Sequence, residues 1–185
     1  FWARWYQAAV EHLPDLQRFT PDELVRGVKR VAPSFIRVEA DEVTYDLHIL
    51  LRFDIELALI EQRLAVEDLP PAWNERFEQL FGLQVPNDRL GVLQDIHWSL
   101  GALGYFPTYS LGNLNAAQFM AAAERSIPDL PQQLAGGEYG QLLAWLRRNV
   151  HQHGQRFETP HLMVQATGEP TQARYRIDYL RKKYA

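Results

Sequence analysis

Residues 41–64, DEVTYDLHILLRFDIELALIEQRL, form the longest stretch of helical spacing in the chain. Val43, Leu47, Leu50, Leu51, Ile55, Ala58, Leu59 and Leu64 recur at helical intervals and spill beyond a single stripe. The spacing predicts a central helix buried on more than one side. The segments on either side repeat the helical period, so the stretch decides for an all-α fold, a helical bundle.

Upstream, Pro33–Val38 (PSFIRV) reads as a strand fragment or a connector. Before it, Thr20-Pro21-Asp22-Glu23 is a strong helix start, with Thr as N-cap, Pro at the first helical position and Glu closing a capping box. That helix carries Leu24, Val25, Val28 and Val31 and ends by Pro33. Residues 1–12 place Trp2, Trp5, Tyr6, Ala9 and Val10 on one helical face. Downstream, Pro70-Pro71 opens a helix that Gly82 closes. An Ala-rich helix over Ala116–Ala123 runs to about Pro128, and Pro131–Gly137 is a helical turn. Glu138–His153 is amphipathic and ends at Gly154. Thr159-Pro160 repeats the N-cap and N1 pattern up to Gly168, and Thr171–Tyr184 is the last helix. With no linker or repeat, residues 1–185 read as one domain.

The chain has 185 residues, 46% hydrophobic and 23% charged, which suits one globular domain and excludes disorder. A net charge of −4 argues against a nucleic-acid partner. The only basic cluster, Arg181-Lys182-Lys183, fits a helix C-terminus. No apolar run reaches the ~20 residues of a membrane span. The absence of cysteine excludes disulfides and thiolate metal sites, and the whole pattern fits a cytoplasmic setting. Phe1-Trp2-Ala3-Arg4-Trp5-Tyr6 has neither an initiator Met nor a signal-peptide layout. It reads as a helix cut in its middle, and the chain as a piece of a longer polypeptide.

Chemistry concentrates in Gly91–Tyr109, GVLQDIHWSLGALGYFPTY. Gln94, Asp95, His97 and Trp98 bring amide, carboxylate, imidazole and indole together among apolar residues, with Tyr105 and Tyr109 close behind. This is the expected wall of a pocket. The bland reading is a satisfied polar pair inside a bundle. The functional reading has His97 donating to a substrate oxygen, Asp95 or Gln94 anchoring neighbours, and the two phenols aimed at a developing oxyanion. Arg37, between Ile36 and Val38, needs an anion. That anion is either Glu39, Asp41 or Glu42 in a buried ion pair, or a substrate carboxylate held bidentately.

A metal site does not assemble from these residues. His12, His48, His97, His151, His153 and His161 form no H-E-x-x-H, and His151 and His153 fit a solvated helix end. Neither a nucleophile elbow nor a phosphate-binding glycine loop occurs.

The stretches Ile36-Arg37-Val38-Glu39-Ala40-Asp41 with Leu47-His48-Ile49, and Gly91-Val92-Leu93-Gln94-Asp95-Ile96-His97-Trp98, carry a resemblance. They match the I-R-x-x-A-D…L-H-I and G-x-x-Q-D-x-H-W signatures of the thermostable carboxypeptidase 1 (carboxypeptidase Taq) family. Gly104–Tyr109, Leu111-Gly112-Asn113, Ala166–Pro170 and Tyr179–Tyr184 continue it, so the resemblance spans the chain. It implies the C-terminal portion of a larger all-helical, zincin-type metallocarboxypeptidase with a deep cleft, homodimeric, acting on peptide substrates with broad specificity. The zinc (or cobalt) ion of such enzymes is held by H-E-x-x-H and a later Glu, motifs that the resemblance puts upstream of Phe1. It therefore implies no metal ligand in this chain, dependence on the upstream part of the polypeptide, and inactivity of the isolated 185 residues. By the same resemblance Arg37 meets the substrate's C-terminal carboxylate. His97 and Tyr109, and more weakly Tyr105, steady the carbonyl oxygen, with Gln94 and Asp95 orienting them. The competing expectations are a non-catalytic helical module that binds a peptide or partner chain, and a plain structural domain.

Overall fold

The computed structural model describes residues 2–185; Phe1, the first aromatic of the N-terminal run, lies outside them. The helices are α1 (Trp2–His12), α2 (Pro21–Val28), α3 (Tyr45–Ile60), α4 (Leu69–Phe81), α5 (Pro107–Ser126), α6 (Leu130–Ala135), α7 (Gly140–Asn149), α8 (Thr159–Thr167) and α9 (Ala173–Tyr184). Short 3-10 turns join several of them, and no strand occurs among the described residues. The all-α expectation holds. The chain divides into two compact units, Arg30–Gly112 and the residues up to Lys29 together with Asn113–Ala185.

Arg30–Gly112 is built on α3 against α4. Leu51, Trp73, Phe77, Phe81 and Val92 form its core, with Phe35, Leu47 and Trp98 packed around them. Phe77 and Phe81, one helical turn apart, stack at 4.4 Å between centroids, and Phe35 stacks on Phe77 at 5.7 Å. Each such ring taken out of water contributes on the order of 2–3 kcal/mol. Pro33–Val38 is a connector without strand pairing, and its end tightens into a 3-10 turn at Arg37–Glu39.

Asp41 prepares the entry to α3. One carboxylate oxygen accepts from the Val43 and Thr44 backbone N–H groups, the other from Thr44 Oγ1 and the Ala32 backbone. Burial pushes this carboxyl up, and the donated bonds from Thr44, Ala32 and Val43 outweigh it and hold it below the ordinary value. Asp41 is therefore spent on Ala32, Val43 and Thr44 and is not the partner of Arg37.

The helix α3 corrects one expectation. It buries His48, Ile49, Leu51, Arg52, Ile55 and Glu56, but its second apolar stripe, Leu50, Phe53, Leu57 and Ile60, is exposed in this chain. The helix is thus covered on one side, and three of its six buried side chains are polar.

The other unit has a core of Ala122, Ala123, Ile127, Leu130 and Trp145. The small residues of α5 admit α7 closely enough for Phe119 to meet Trp145 edge-on. Gln118, fully buried, ties down the stretch that leads into α9. Its amide nitrogen donates to Thr167 Oγ1 and to the Glu169 and Pro170 carbonyls, and its oxygen accepts from the Gln172 backbone. The Thr20–Glu23 capping box forms as expected. At α8 the expected cap is displaced by one residue: Glu158 is the N-cap, without a side-chain bond, and Thr159 is already helical.

Candidate active site

The residues singled out in Gly91–Tyr109 come together with Arg37 inside Arg30–Gly112. Gly82, at φ 67°, stops α4. The chain then turns back through Gly91, where a Cβ would lie 2.8 Å from Val85 Cγ1. Gln94 and Asp95 follow in irregular backbone, a 3-10 turn covers Trp98–Leu100, and α5 begins at Pro107.

Each polar side chain of the Q-D-x-H-W stretch is hydrogen-bonded. Gln94 donates its amide to the Phe35, Leu90 and Gly91 carbonyls, and its oxygen accepts from the Arg37 backbone at 2.9 Å and from Arg52 Nη2 at 2.8 Å. Asp95 lies between two guanidiniums. Arg37 Nη2 donates to Oδ1 at 2.7 Å, with Nε nearby at 3.2 Å, and Arg52 Nε donates to Oδ2 at 2.7 Å. Trp98 donates its indole N–H to Glu56 at 2.8 Å. His97 Nε2 and the Tyr109 hydroxyl are 3.1 Å apart, with donor and acceptor set by the imidazole tautomer.

The anion that Arg37 needs is thus Asp95, none of Glu39, Asp41 and Glu42. Arg37 is buried, with Nη1 on the Tyr45 hydroxyl at 3.1 Å and its guanidinium carbon 5.0 Å from the Tyr109 ring centre. Those bonds use three of its five N–H groups and leave one each on Nη1 and Nη2. Gln94 and Asp95, expected beside His97 and the tyrosines, bond the two arginines instead. His97 Nδ1 is 3.9 Å from Asp95 Oδ1, beyond hydrogen-bond reach, and buried without a bonded partner. Tyr105 is half exposed, its ring 5.6 Å from His97 and 5.5 Å from Tyr109, so it flanks the pair without bonding to it.

Electrostatics follow from that sharing. Burial raises the Asp95 carboxyl, but the bond from Arg37 and the charge of Arg52 outweigh it, and the net direction is down. Arg37 moves up despite its own desolvation, because Asp95 and Tyr45 favour its cation. Arg52 is pushed down to about 10, first by burial, against the pull of Asp95; it stays charged at neutral pH.

Sequence reasoning missed Arg52, Glu56 and Tyr45. For Arg52 the signal was present: an arginine amid Leu51 and Phe53, one helical turn from His48, poses the same question as Arg37. Among the described residues no group of three or more His, Asp or Glu side chains could hold a metal ion. His151 and His153 sit in a 3-10 turn, the latter against Phe157.

Residues 1–184 match the family described as Carboxypeptidase Taq (M32) metallopeptidase. The chain is 45% identical to thermostable carboxypeptidase 1 of Thermus thermophilus over 185 residues, and 41% identical to carboxypeptidase 1 of Bacillus subtilis over 186. It covers 36% and 37% of their lengths, so it spans little more than a third of these relatives. A crystal structure of an M32 carboxypeptidase from Deinococcus radiodurans superposes with a TM-score of 0.95 at 41% identity, over 99% of this chain and 37% of that one. The structure of Trypanosoma cruzi metallocarboxypeptidase 1 gives 0.91 at 38% identity, over 96% and 36%.

Proposed function

The chain belongs to the carboxypeptidase Taq (M32) metallopeptidase family, and on that premise we propose that it is the C-terminal, substrate-side portion of a metallocarboxypeptidase that removes C-terminal residues from peptides. The observation that carries this reading is the Arg37–Asp95–Arg52 cluster, two cations on one carboxylate, beside the His97–Tyr109 pair. A terminal carboxylate meets the remaining N–H groups of Arg37. The scissile carbonyl oxygen, one residue away along the substrate, meets the Tyr109 hydroxyl or His97 Nε2. Tyr105 closes the apolar side. The selectivity is for the free carboxylate rather than for one side chain, which suits broad specificity.

The family's metal finds no fit among the described residues. We assign it, as zinc or cobalt, to residues outside this chain. The isolated 185 residues are then inactive, and the full-length enzyme is a cytoplasmic homodimer. Arg37→Ala in the full-length enzyme is expected to raise KM about tenfold or more, the loss of a charge-assisted bond of roughly 1.5–3 kcal/mol. An unchanged KM would overturn the assignment of Arg37. Incubating the isolated chain with peptide and zinc should release no amino acid. Turnover that EDTA abolishes would show that a complete site is present. Peptide binding without hydrolysis by the full-length protein would favour the non-catalytic module.

A further inference from the structure

Asp95 raises a problem for any anion that approaches Arg37. A lone Arg37–Asp95 pair would be neutral and would offer a carboxylate little net attraction. Arg52 changes that sum. It is 1% exposed, so no ligand reaches it. Its guanidinium donates to Asp95 Oδ2, to Gln94 Oε1 and to the His48 carbonyl, and lies over the Trp73 and Phe106 rings at 4.8 and 5.2 Å. Glu56, one turn further along α3, is engaged by the Trp98 indole and forms no ion pair with Arg52 among the described residues.

We infer that Arg52 is a positioning residue that sets the charge of the carboxylate site: by taking half of Asp95 it leaves the buried cluster with an excess positive charge that Arg37 presents to a peptide's C-terminus. Both oxygens of Asp95 are divided between two cations, so neither guanidinium has a carboxylate of its own. The Gln94 oxygen bonds Arg52 and the Arg37 backbone together, which fixes the two arginines relative to each other. The peptide terminus is then the second anion for an ion-paired trio, Arg37–Asp95–Arg52, that holds one carboxylate between two guanidiniums. This inference rests on the reading of Arg37 as the carboxylate ligand and deepens it.

The test uses the full-length enzyme and a peptide with a free C-terminus, following KM, kcat and the inhibition constant of the released amino acid. Arg52→Met makes the cluster neutral, and KM and the inhibition constant are expected to rise at least tenfold while kcat changes less. Arg52→Lys keeps the charge but loses the fork, and its KM should stay nearer the parent's than that of Arg52→Met. The double variant Arg52→Met/Asp95→Asn removes one charge of each sign and leaves Arg37 uncompensated, so its KM should fall back toward the parent's. A purely structural Arg52 predicts that Lys fails as badly as Met and that the double variant is no better; either result overturns the inference. If Arg52→Met does not fold, Arg52→Lys and the double variant decide it: both must bind the amino acid within about threefold of each other, and failure of either refutes the charge role. Should Arg37→Ala leave KM unchanged, the reading of Arg37 itself fails, whatever the Arg52 variants do.

Discussion

His48 has no exposed surface, its ring centre is 4.4 Å from that of Phe81, and neither ring nitrogen has a hydrogen-bond partner. Burial first, and the charge of Arg52 second, push its pKa down from 6.5 to about 4. The sign of the effect follows. On acidification the unfolded chain takes up this proton near pH 6.5, but the folded chain only near pH 4. Stability from a neutral His48 is fully present above pH 6.5 and drains away between pH 6.5 and about 4. The slope approaches about 1.4 kcal/mol per pH unit, for a total of about 3 kcal/mol. Urea midpoints taken from pH 7 to pH 4 should therefore fall more steeply for the parent than for His48→Leu; parallel lines would mean that folded His48 protonates normally. Asp95, also held below its ordinary value, contributes in the same direction, and its removal strands two buried guanidiniums. Asp95→Ala should cost about 3–5 kcal/mol in chemical denaturation, and Asp95→Asn, which keeps an acceptor, clearly less. Equal losses would show that the charge is not what matters. At this scale the sequence was half legible. Arg37 stood out because isolated between Ile36 and Val38 it demanded an anion. Its partner did not, because Asp95 lies 58 positions away and nothing local distinguishes it from Asp41. Arg52, an arginine between Leu51 and Phe53, carried the same signal as Arg37 and went unread because the helical period of the stretch drew the reading.

The elements follow local rules where local rules suffice. The capping box at Thr20, the prolines at the start of α4 and the left-handed Gly82 at its end all act within four residues and were readable directly. The start of α5 was not. The stretch from Pro107 to Asn115 contains Gly112 and two asparagines, poor helix formers, yet α5 begins at Pro107. Partners outside the helix hold that first half: Ser110 donates to Asp46, and Asn115 accepts from Thr171. Two glycines turn this contrast into an experiment. A Cβ at Gly91 would meet Val85 Cγ1 at 2.8 Å and the Asn87 carbonyl oxygen at 3.3 Å, so either a stiff branched side chain or the backbone must yield just ahead of Gln94. Gly91→Ala is expected to cost about 1–3 kcal/mol. A Cβ at Gly112 meets nothing within 4 Å inside a helix, and Gly112→Ala should stabilise by roughly 0.5–1 kcal/mol. Paired thermal melts separate the two, and a Gly91→Ala protein that melts at or above the parent would remove the argument for a tight turn under the site.

For the molecule as a whole, the unusual feature is how much apolar surface Arg30–Gly112 leaves in solvent. On α3, Leu50, Phe53, Leu57 and Ile60 repeat at helical spacing, and Ile60 is 61% exposed. In the stretch that carries Gln94 and Asp95, Leu93, Ile96 and Leu100 are each about 70% exposed. A polar pattern would normally alternate with such residues on a solvated face, and scattered single leucines would need no account. A stripe of four on one helix does. In the relatives this chain matches little more than a third of the length. The isolated 185-residue chain should accordingly bind an apolar fluorescent dye in its folded state and sediment as concentration-dependent oligomers. Phe53→Lys combined with Ile60→Glu should lower both signals while leaving the circular dichroism of the helices unchanged, since neither side chain belongs to the core of α3 against α4. If the unaltered chain stays monomeric and dye-free at every concentration, the exposed stripe carries no unmet burial.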